Sequence, residues 1–324
     1  MRLLSDHLCR QSKRGGLMIS TPWKIIALAI FMCFGVLAWA GELEDGEAAY
    51  NNKNYAVALQ KFRKLAAQGN ARSQFNLGYM YGNGVGVVRD YGEAVRWYKL
   101  AAAQGQSWAQ GNLGYIYSNG QGVLQDYAEA VRWYKLAAAQ GHSVSQFNLA
   151  GMYSKGDAVV QDYAEAVRWY KLAAAQGNSM AQFNLGVMYR QGEGVLQDYA
   201  EAVRWYKLAA AQGNAEAQLN LGFMYRNGQG VVQDYAEAVR LYKLAAAQGI
   251  SLAQSNLGFA YHNGQGVVQD YVRSHMWTNL AAVKGDANAV KNRDIFAAKM
   301  STQQIAEAQK MARDCQARKF KNCD

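Results

Sequence analysis

Proline is nearly absent from this chain, and long apolar runs are scarce. Pro22 is the single proline among 324 residues, so no fixed proline kink interrupts the sequence that follows it. The longest apolar run, Ile25–Ala40, has 16 residues, fewer than the roughly 20 that a membrane-spanning helix needs. A mean hydropathy of −0.26 excludes a polytopic membrane protein.

Candidate catalytic and metal-binding groups are also few. After residue 41 the histidines are His142, His262 and His275, and none has a cysteine or carboxylate at metal-ligand spacing. Recurring Gly-x-Gly loops lack the preceding strand and the Lys-Ser/Thr pair of a phosphate-binding loop. We therefore expect no catalytic residue, no metal and no cofactor.

The charge balance is mildly basic. The chain has 34 basic and 24 acidic residues, for a net charge of +10, and residues 1–40 hold five basic residues and one acidic residue. About +6 (10 − 4) therefore remains after residue 40. The basic residues recur in two columns, Arg96/Arg132/Arg168/Arg204/Arg240 and Lys99/Lys135/Lys171/Lys207/Lys243. Because acidic residues lie one helical turn away, we expect a solvated helix face and no nucleic-acid partner.

One 16-residue stretch recurs every 36 residues and organises the chain. Identical copies occupy Asp126–Gly141, Asp162–Gly177 and Asp198–Gly213. Near-copies occupy Asp90–Gly105 and Asp234–Gly249, and a degraded copy occupies Asp270–Gly285. A fixed period of this length indicates a solenoid or another array of small repeats.

Each repeat predicts two helices. Asp126 and Glu129 form an N-terminal capping pattern, and Gly141 suits the C-terminal end of the same helix. A first helix over 107–117 precedes it, followed by a glycine-containing loop over 118–125. Helix, loop, helix and tight glycine turn predict an antiparallel hairpin that is repeated head to tail.

The residues of these repeats resemble a known family. Ala-Gln-x-Asn-Leu-Gly-x-Met-Tyr is followed by Asn-Gly-x-Gly-Val, Asp-Tyr-x-x-Ala and Trp-Tyr-Lys-x-Ala-Ala-x-Gln-Gly. The pattern resembles the Sel-one-like repeat, a relative of the tetratricopeptide repeat. The resemblance implies an all-α, right-handed αα-superhelix. We expect an N-terminal capping hairpin over 41–69, six repeats over 70–285, and C-terminal capping helices with a tail over 286–324.

Repeat 142–177 departs from the others. Ala150 replaces a glycine of the first helix, and Gly156-Asp157-Ala158 replaces Gly-x-Gly in the loop. If the second glycine normally has a positive φ, alanine adopts that conformation only at a cost. We therefore expect a rearranged loop in this repeat, which should be the weakest of the array.

Residues 18–40 predict a signal peptide. Lys24 supplies the basic segment, Ile25–Phe34 the apolar segment, and Ala38-Trp39-Ala40 the cleavage site before Gly41. Met18 then becomes the expected start, and an uncleaved anchor is the alternative. The periplasm and the exterior of the cell are oxidising environments. In a periplasmic or secreted chain, Cys315 and Cys323 are therefore expected to form a disulfide. Pairing between molecules, or free thiols if the chain is not exported, remain the alternatives.

The variable positions of the first helices predict a partner-binding surface. In related αα-solenoids these helices line the concave face, and aromatic residues with arginine are typical of interface hot spots. The candidate residues are Arg72, Phe75, Tyr79, Trp108, Tyr115, Phe147, Met180, Phe183, Arg190, Phe223, Arg226, Phe259 and His262. Phe75, Phe147 and Phe183 occupy equivalent positions in their repeats. Their alternative role is packing in the core rather than binding a partner.

These observations favour an exported, non-enzymatic scaffold or adaptor. The resemblance implies a role in envelope regulation or host contact, with a protein or peptide partner, and we expect a monomer that does not insert into a membrane after cleavage. The alternative is a secreted hydrolase or β-lactam-binding enzyme of the cysteine-rich Sel-one-like type. Those relatives carry a cysteine pair in each repeat, which this chain does not, and no Ser-x-x-Lys follows residue 41.

Overall fold

The computed structural model describes residues 41–283, 285 and 287–323. The expected signal peptide and its cleavage site lie outside these residues. Within them the chain forms sixteen helices and no strand, which confirms the all-α fold. None of the helices in this part of the chain is both long enough and apolar enough to cross a membrane.

The chain divides into two compact parts between Gln104 and Gly105. The described helices of the first part are α1 (41–51), α2 (Tyr55–Ala67), α3 (Ala71–Asn83) and α4 (Tyr91–Ala103). Phe62, Leu77 and Met80 are buried at its centre. The first two helices thus form the short opening hairpin that the sequence indicates, without the long glycine-containing loop.

The second part is also built from helical hairpins. Its helices are α5 (Ser107–Asn119), α6 (Tyr127–Ala139), α7 (Ser143–Lys155), α8 (Tyr163–Ala175), α9 (Ser179–Gln191), α10 (Tyr199–Ala211), α11 (Ala215–Asn227), α12 (Tyr235–Ala247), α13 (Ser251–Asn263), α14 (Tyr271–Val283), α15 (Ala287–Ala297) and α16 (Thr302–Ala317). Odd-numbered helices from α5 to α13 are the first helices of their repeats, and the even-numbered ones that follow are the second helices. Each first helix packs on the second helix of its own repeat.

Capping residues set the ends of these helices. Asp126 Oδ1 accepts from the Glu129 N–H at 3.0 Å, and the Asp126 N–H donates to the Tyr117 carbonyl at 2.9 Å, which closes the loop between α5 and α6. Gly120 ends α5 in the left-handed conformation. Ser301 and Gln304 form a capping box at the start of α16.

A glycine in five of the six first helices, replaced by Ala150 in repeat 142–177, allows close packing. A Cβ on Gly114 would lie 2.6 Å from the Tyr134 ring, and a Cβ on Gly186 would lie 2.5 Å from the Tyr206 ring. Because the glycine leaves this space open, the rings of Tyr134 and Tyr206 lie directly on the first helices of their repeats. Ala130, which faces the same core, is fully buried.

The loop of repeat 142–177 is not rearranged, so that expectation was wrong. Gly156 has φ +80° and Ala158 has φ +55°, close to the values of +76° and +70° at Gly192 and Gly194. The hydrogen bond from the Asp157 N–H to the Met152 carbonyl, at 3.0 Å, holds the loop in the common geometry. Ala158 therefore occupies the left-handed region, which is unfavourable for a residue with a Cβ.

Candidate partner-binding surface

Large apolar side chains project into solvent from the first helices of the second part. The set, here called the first-helix surface, comprises Trp108, Tyr115, Val144, Met180, Phe223, Leu252 and Phe259. Their exposed fractions range from 37% at Phe259 to 55% at Trp108. Side chains of this size are ordinarily buried to a greater extent, and a cluster of them marks a binding surface or a contact with another molecule.

The phenylalanines one turn further round the same helices serve the core. Phe147 and Phe183 are half-buried, and their rings lie 5.8 Å from Tyr170 and 5.9 Å from Tyr206. Both pack against clusters of buried residues. They form the base of the first-helix surface and leave little of their rings for a partner.

The candidate residues of the first part are placed differently. Arg72 pairs with Glu47 at 2.7 Å, and Phe75 is half-buried with its ring 5.9 Å from Tyr98. Tyr79 remains 42% exposed, with its ring 6.5 Å from that of Tyr50. Of these three candidates, Tyr79 offers the largest free aromatic surface.

His262 does not belong to the exposed surface, which corrects its assignment as a binding residue. It is only 9% exposed, and its ring stacks on Phe296 of α15 at 3.9 Å between centroids. Burial, together with nearby Lys299, lowers the pKa of His262. The histidine therefore packs between the last repeat and the helices that follow it.

Arg190 and Arg226 occupy the same position in consecutive repeats, near the C-terminal ends of α9 and α11. Their guanidinium groups face the buried hydroxyls of Tyr206 and Tyr242. Burial raises the pKa of each tyrosine to about 12, although the adjacent cation acts in the opposite direction. The Arg226 guanidinium also lies over the Phe259 ring at 4.9 Å.

A cleft opens beside Arg226 between consecutive repeats. It is lined by Arg226, Tyr235, Tyr242, Asn256, Phe259 and Gln265, together with apolar backbone neighbours of α12 and α13. The lining combines aromatic rings, an amide and a cation, but the enclosed space has room for no more than about one water molecule.

The second helices expose a face of a different character. Arg132, Arg168 and Arg204 each pair with the glutamate three positions earlier at 2.9–3.1 Å, and their guanidinium groups lie over the neighbouring tryptophan rings. The expected solvated face with acidic partners one turn away is confirmed. These arginines are neutralised and repeat unchanged, which makes them part of the scaffold.

A ladder of glutamine pairs, buried at its first-helix members, holds the two kinds of helix together, and the sequence analysis missed it. In the five repeats before the last, the glutamine after the second helix donates to the glutamine of the first helix, at 2.7–2.9 Å. The pairs in the second part are Gln140–Gln110, Gln176–Gln146, Gln212–Gln182 and Gln248–Gln218. Gln182 then donates to the Ala174 carbonyl of the preceding repeat at 3.2 Å. The recurrence of both glutamines every 36 residues is the sequence feature from which this ladder could have been predicted.

The described residues contain no group of three or more metal-ligating side chains. A serine–histidine contact does occur, between His142 Nδ1 and Ser145 Oγ at 2.7 Å. Ser145 is fully buried, so its hydroxyl is inaccessible to a substrate. At the C-terminal end, Cys315 and Cys323 are joined with Cα atoms 5.1 Å apart.

Hairpins of two 13-residue helices, stacked through a constant second helix, define the αα-solenoids of the tetratricopeptide-like class. The Sel1 repeat family matches residues 71–106, 109–142, 143–178, 179–214, 215–250 and 251–286. The chain therefore belongs to the Sel1 repeat family. Solenoids of this type are protein-interaction scaffolds and are generally non-enzymatic.

Two solved structures are similar over most of the chain. A Sel1 repeat protein from Oxalobacter formigenes is 34% identical, with a TM-score of 0.67 over 74% of this chain and 96% of that one. The protein c5321, a protective antigen of uropathogenic Escherichia coli with the same repeat fold, is 30% identical, with a TM-score of 0.60 over 87% of this chain and 70% of that one. No functionally curated protein matches the chain.

Proposed function

We propose that this protein is an exported scaffold that binds a protein or peptide partner through the first-helix surface. The observation that carries the proposal is the contrast between the two helices of a repeat. The second helices are identical in three repeats, whereas the first helices vary at the positions that expose Trp108, Tyr115, Met180 and Phe223. Variation over a constant scaffold is the arrangement expected of a recognition surface.

The chemistry of the surface favours a polypeptide partner. Aromatic side chains and methionine are enriched at protein–protein interfaces, and burying one such side chain contributes about 1.5–3 kcal/mol. A few anchors such as Trp108 and Phe223, each about half-exposed in the free protein, are sufficient for a specific complex if the partner covers them fully.

Export is the second element of the proposal. It is supported by the predicted cleavage site before Gly41 and by the Cys315–Cys323 pair. One similar structure is that of a protective antigen, and a role in envelope regulation or host contact is proposed for this chain by analogy with it. The proposed cellular location of the protein is the periplasm or the exterior of the cell.

Site-specific photo-crosslinking tests the binding surface. A photoreactive amino acid is placed at position 115 or 223 on the first-helix surface, or at the control position 136 on a second helix, where Leu136 is similarly exposed at 43%. We expect a discrete crosslinked species from 115 and 223, absent from 136 and lost when W108A is added. Equal crosslinking from all three positions, or none from any, contradicts the proposed surface.

A further inference from the structure

Two cations on the first helices lack the counterions that other arginines have. Arg204 and Arg240 of the second helices pair with glutamates at 3.1 Å and 2.7 Å. Among the residues that the structure describes, no carboxylate lies within ion-pair distance of Arg190 or Arg226. The positive charges at these two positions are therefore uncompensated in the free protein.

The surroundings of these cations are partly desolvated. Both arginines are half-buried, and the Arg190 Nε atom is buried with no hydrogen-bond partner among the described residues. The Arg226 guanidinium is covered on one side by the Phe259 ring. A cation held in this way binds an incoming carboxylate more strongly than one that is fully hydrated, because less water has to be displaced.

The fold itself does not require a cation at this position. In repeats 106–141 and 142–177 the equivalent residues are Ser118 and Ser154, and Ser118 Oγ lies 3.5 Å from the Tyr134 hydroxyl. The interaction of a cation with the end of the helix dipole is thus dispensable. An arginine at this position is therefore a feature of the two consecutive repeats that contain Arg190 and Arg226, and the two repeats before them carry serine instead.

Acidic residues near this pair do not neutralise it. Glu216 begins α11 ten positions before Arg226, about 15 Å away along the helix axis. Glu193 follows Arg190 in the loop and forms no ion pair with it within 4 Å. Met180 and Phe223 supply apolar surface on the same two helices. The combination is a pair of cations beside exposed apolar side chains.

We propose that Arg190 and Arg226 together bind two carboxylates of an acidic segment of the partner protein. The first helices of these repeats are neighbours, because Asn214, the N-cap of α11, contacts Met180 of α9 at 3.3 Å, and packed helices are about 8–10 Å apart. Carboxylates two residues apart in an extended chain lie on the same face, about 7 Å from each other, and the long arginine side chains of neighbouring repeats span the remaining difference. The inference rests on the proposed function and specifies the chemistry of its partner.

A polypeptide fits these observations better than a nucleic acid. A nucleic-acid surface presents a longer run of cations free to contact phosphates. Here the arginines of the second helices are already paired with glutamates. Arg190 and Arg226, which have no acidic partner among the described residues, lie among apolar side chains. Two carboxylates flanked by apolar residues complement such a site.

Selection from a library of random twelve-residue peptides tests the inference. The full chain without residues 1–40 is the bait, and selected peptides are then measured against R190S/R226S. The control is R168S/R204S, which removes the same charge from arginines that are paired with glutamate. Serine is tolerated at both test positions because other repeats carry it there.

We expect peptides enriched in Asp or Glu pairs, with affinity at least tenfold weaker for R190S/R226S and changed less than twofold for R168S/R204S. Replacing both acidic residues of a selected peptide by Gln or Asn should have the same effect as R190S/R226S. Affinity should also fall as salt is raised.

The other outcomes separate the inference from the proposed function. Peptides that depend on Trp108 or Phe223 but not on the two arginines would overturn the inference and leave the binding surface in place. Failure to enrich any peptide would count against both. Binding of a labelled 20-nucleotide single strand, lost in R190S/R226S while acidic peptides do not bind, would replace the polypeptide by a nucleic acid and overturn the inference.

Discussion

The Gln212 side-chain amide donates to the Gln182 side-chain oxygen at 2.7 Å. Gln182 in turn donates to the Ala174 carbonyl of the preceding repeat and is only 5% exposed. One buried amide therefore joins three helices, two of its own repeat and one of the repeat before it. The same arrangement recurs along the second part of the chain.

Replacing Gln182 by leucine is expected to destabilise the array. The substitution removes the partner of the exposed Gln212 amide and one of the two donors to the Ala174 carbonyl, which keeps the Gly177 N–H at 3.0 Å. The expected loss is therefore that of two hydrogen bonds, at about 0.5–1.5 kcal/mol each. The matched control is Q191L, because Gln191 at the end of α9 is exposed. Urea unfolding should show a lower midpoint for Q182L than for Q191L. Indistinguishable midpoints would show that the hydrogen bonds of Gln182 make no measurable contribution to stability.

Ala158→Gly is expected to stabilise repeat 142–177. Alanine in the left-handed region costs about 1–2 kcal/mol, and glycine returns about 0.4–1 kcal/mol of that through the greater freedom of the unfolded chain. The net gain is about 0.5–1 kcal/mol, measurable as slower hydrogen exchange in α7 and α8.

The reverse change, Gly194→Ala, provides the control. Gly194 has φ +70°, and a Cβ there would lie 2.3 Å from the Tyr163 carbonyl oxygen. We expect G194A to destabilise by about 2 kcal/mol or more. Stabilisation by G194A, or destabilisation by A158G, would show that φ at this loop position does not control the stability of the repeat.

His275 should make the protein sensitive to acid. It is 3% exposed, and burial, followed by the charge of Arg293, lowers its pKa below the usual 6.5. The unfolded chain therefore takes up the proton first, so the contribution of neutral His275 is complete above about pH 6.5 and is lost as pH falls towards the lower folded value.

His275→Val tests this pH dependence. Valine is the equivalent residue in other repeats, where Val203 and Val239 are buried. Because Nδ1 of His275 has no hydrogen-bond partner among the described residues, the variant should be as stable as the parent or more stable. Its unfolding free energy, measured by urea titration, should fall less between pH 7.5 and pH 5 than that of the parent. The same dependence on pH in both proteins would show that groups other than His275 cause the acid sensitivity.

The Cys315–Cys323 bond is expected in protein taken from the oxidising compartment. Both sulfurs lie in the core cluster of the last helices, and closing so short a loop contributes at most about 2–3 kcal/mol. Non-reducing peptide mapping should recover a linked peptide containing both cysteines. Two alkylated thiols would reject the bond and weaken the case for export.

Cleavage before Gly41 is the prediction for the N-terminus. The Ala38-Trp39-Ala40 motif carries it. Mass spectrometry of the exported protein should give a chain that begins at Gly41, and blocking the site with A40K should yield a longer, membrane-retained product. A wild-type chain that keeps residues 25–40 would identify the segment as an anchor instead.

The sequence predicted the repeat fold well because its signals are local. Asp126 and Gly141 mark helix ends by their own chemistry, and the period of 36 residues multiplies each signal. His262 was placed wrongly because its ring packs on Phe296, which lies outside the repeats and is not implied by them. The conformation of Ala158 also escaped prediction, since hydrogen bonds of the flanking backbone, such as Asp162 N–H to the Tyr153 carbonyl at 2.9 Å, outweigh the preference of a single residue.

The binding surface was predictable only as a set of positions. Periodicity indicated which faces vary, but it did not show that Phe147 and Phe183 are held by tyrosines of the second helices. Nor did it show that Trp108, whose ring contacts His142 at 4.4 Å, and Phe223 keep 55% and 40% of their surfaces exposed. It also gave no indication that Arg190 and Arg226 lack the acidic partners that the second-helix arginines have. Those distinctions depend on contacts between residues that are distant in the sequence.

Identical second helices make the repeats interchangeable at their boundaries. Each one presents the same buried tyrosine and the same terminal glutamine, as in Tyr134 with Gln140 and Tyr206 with Gln212. In-frame loss or duplication of one whole repeat therefore rejoins matching surfaces and preserves the fold, while it changes which first helices stand next to each other. Recombination between the repeats of the gene thus changes the order of the first helices while the second helices on which they pack stay the same.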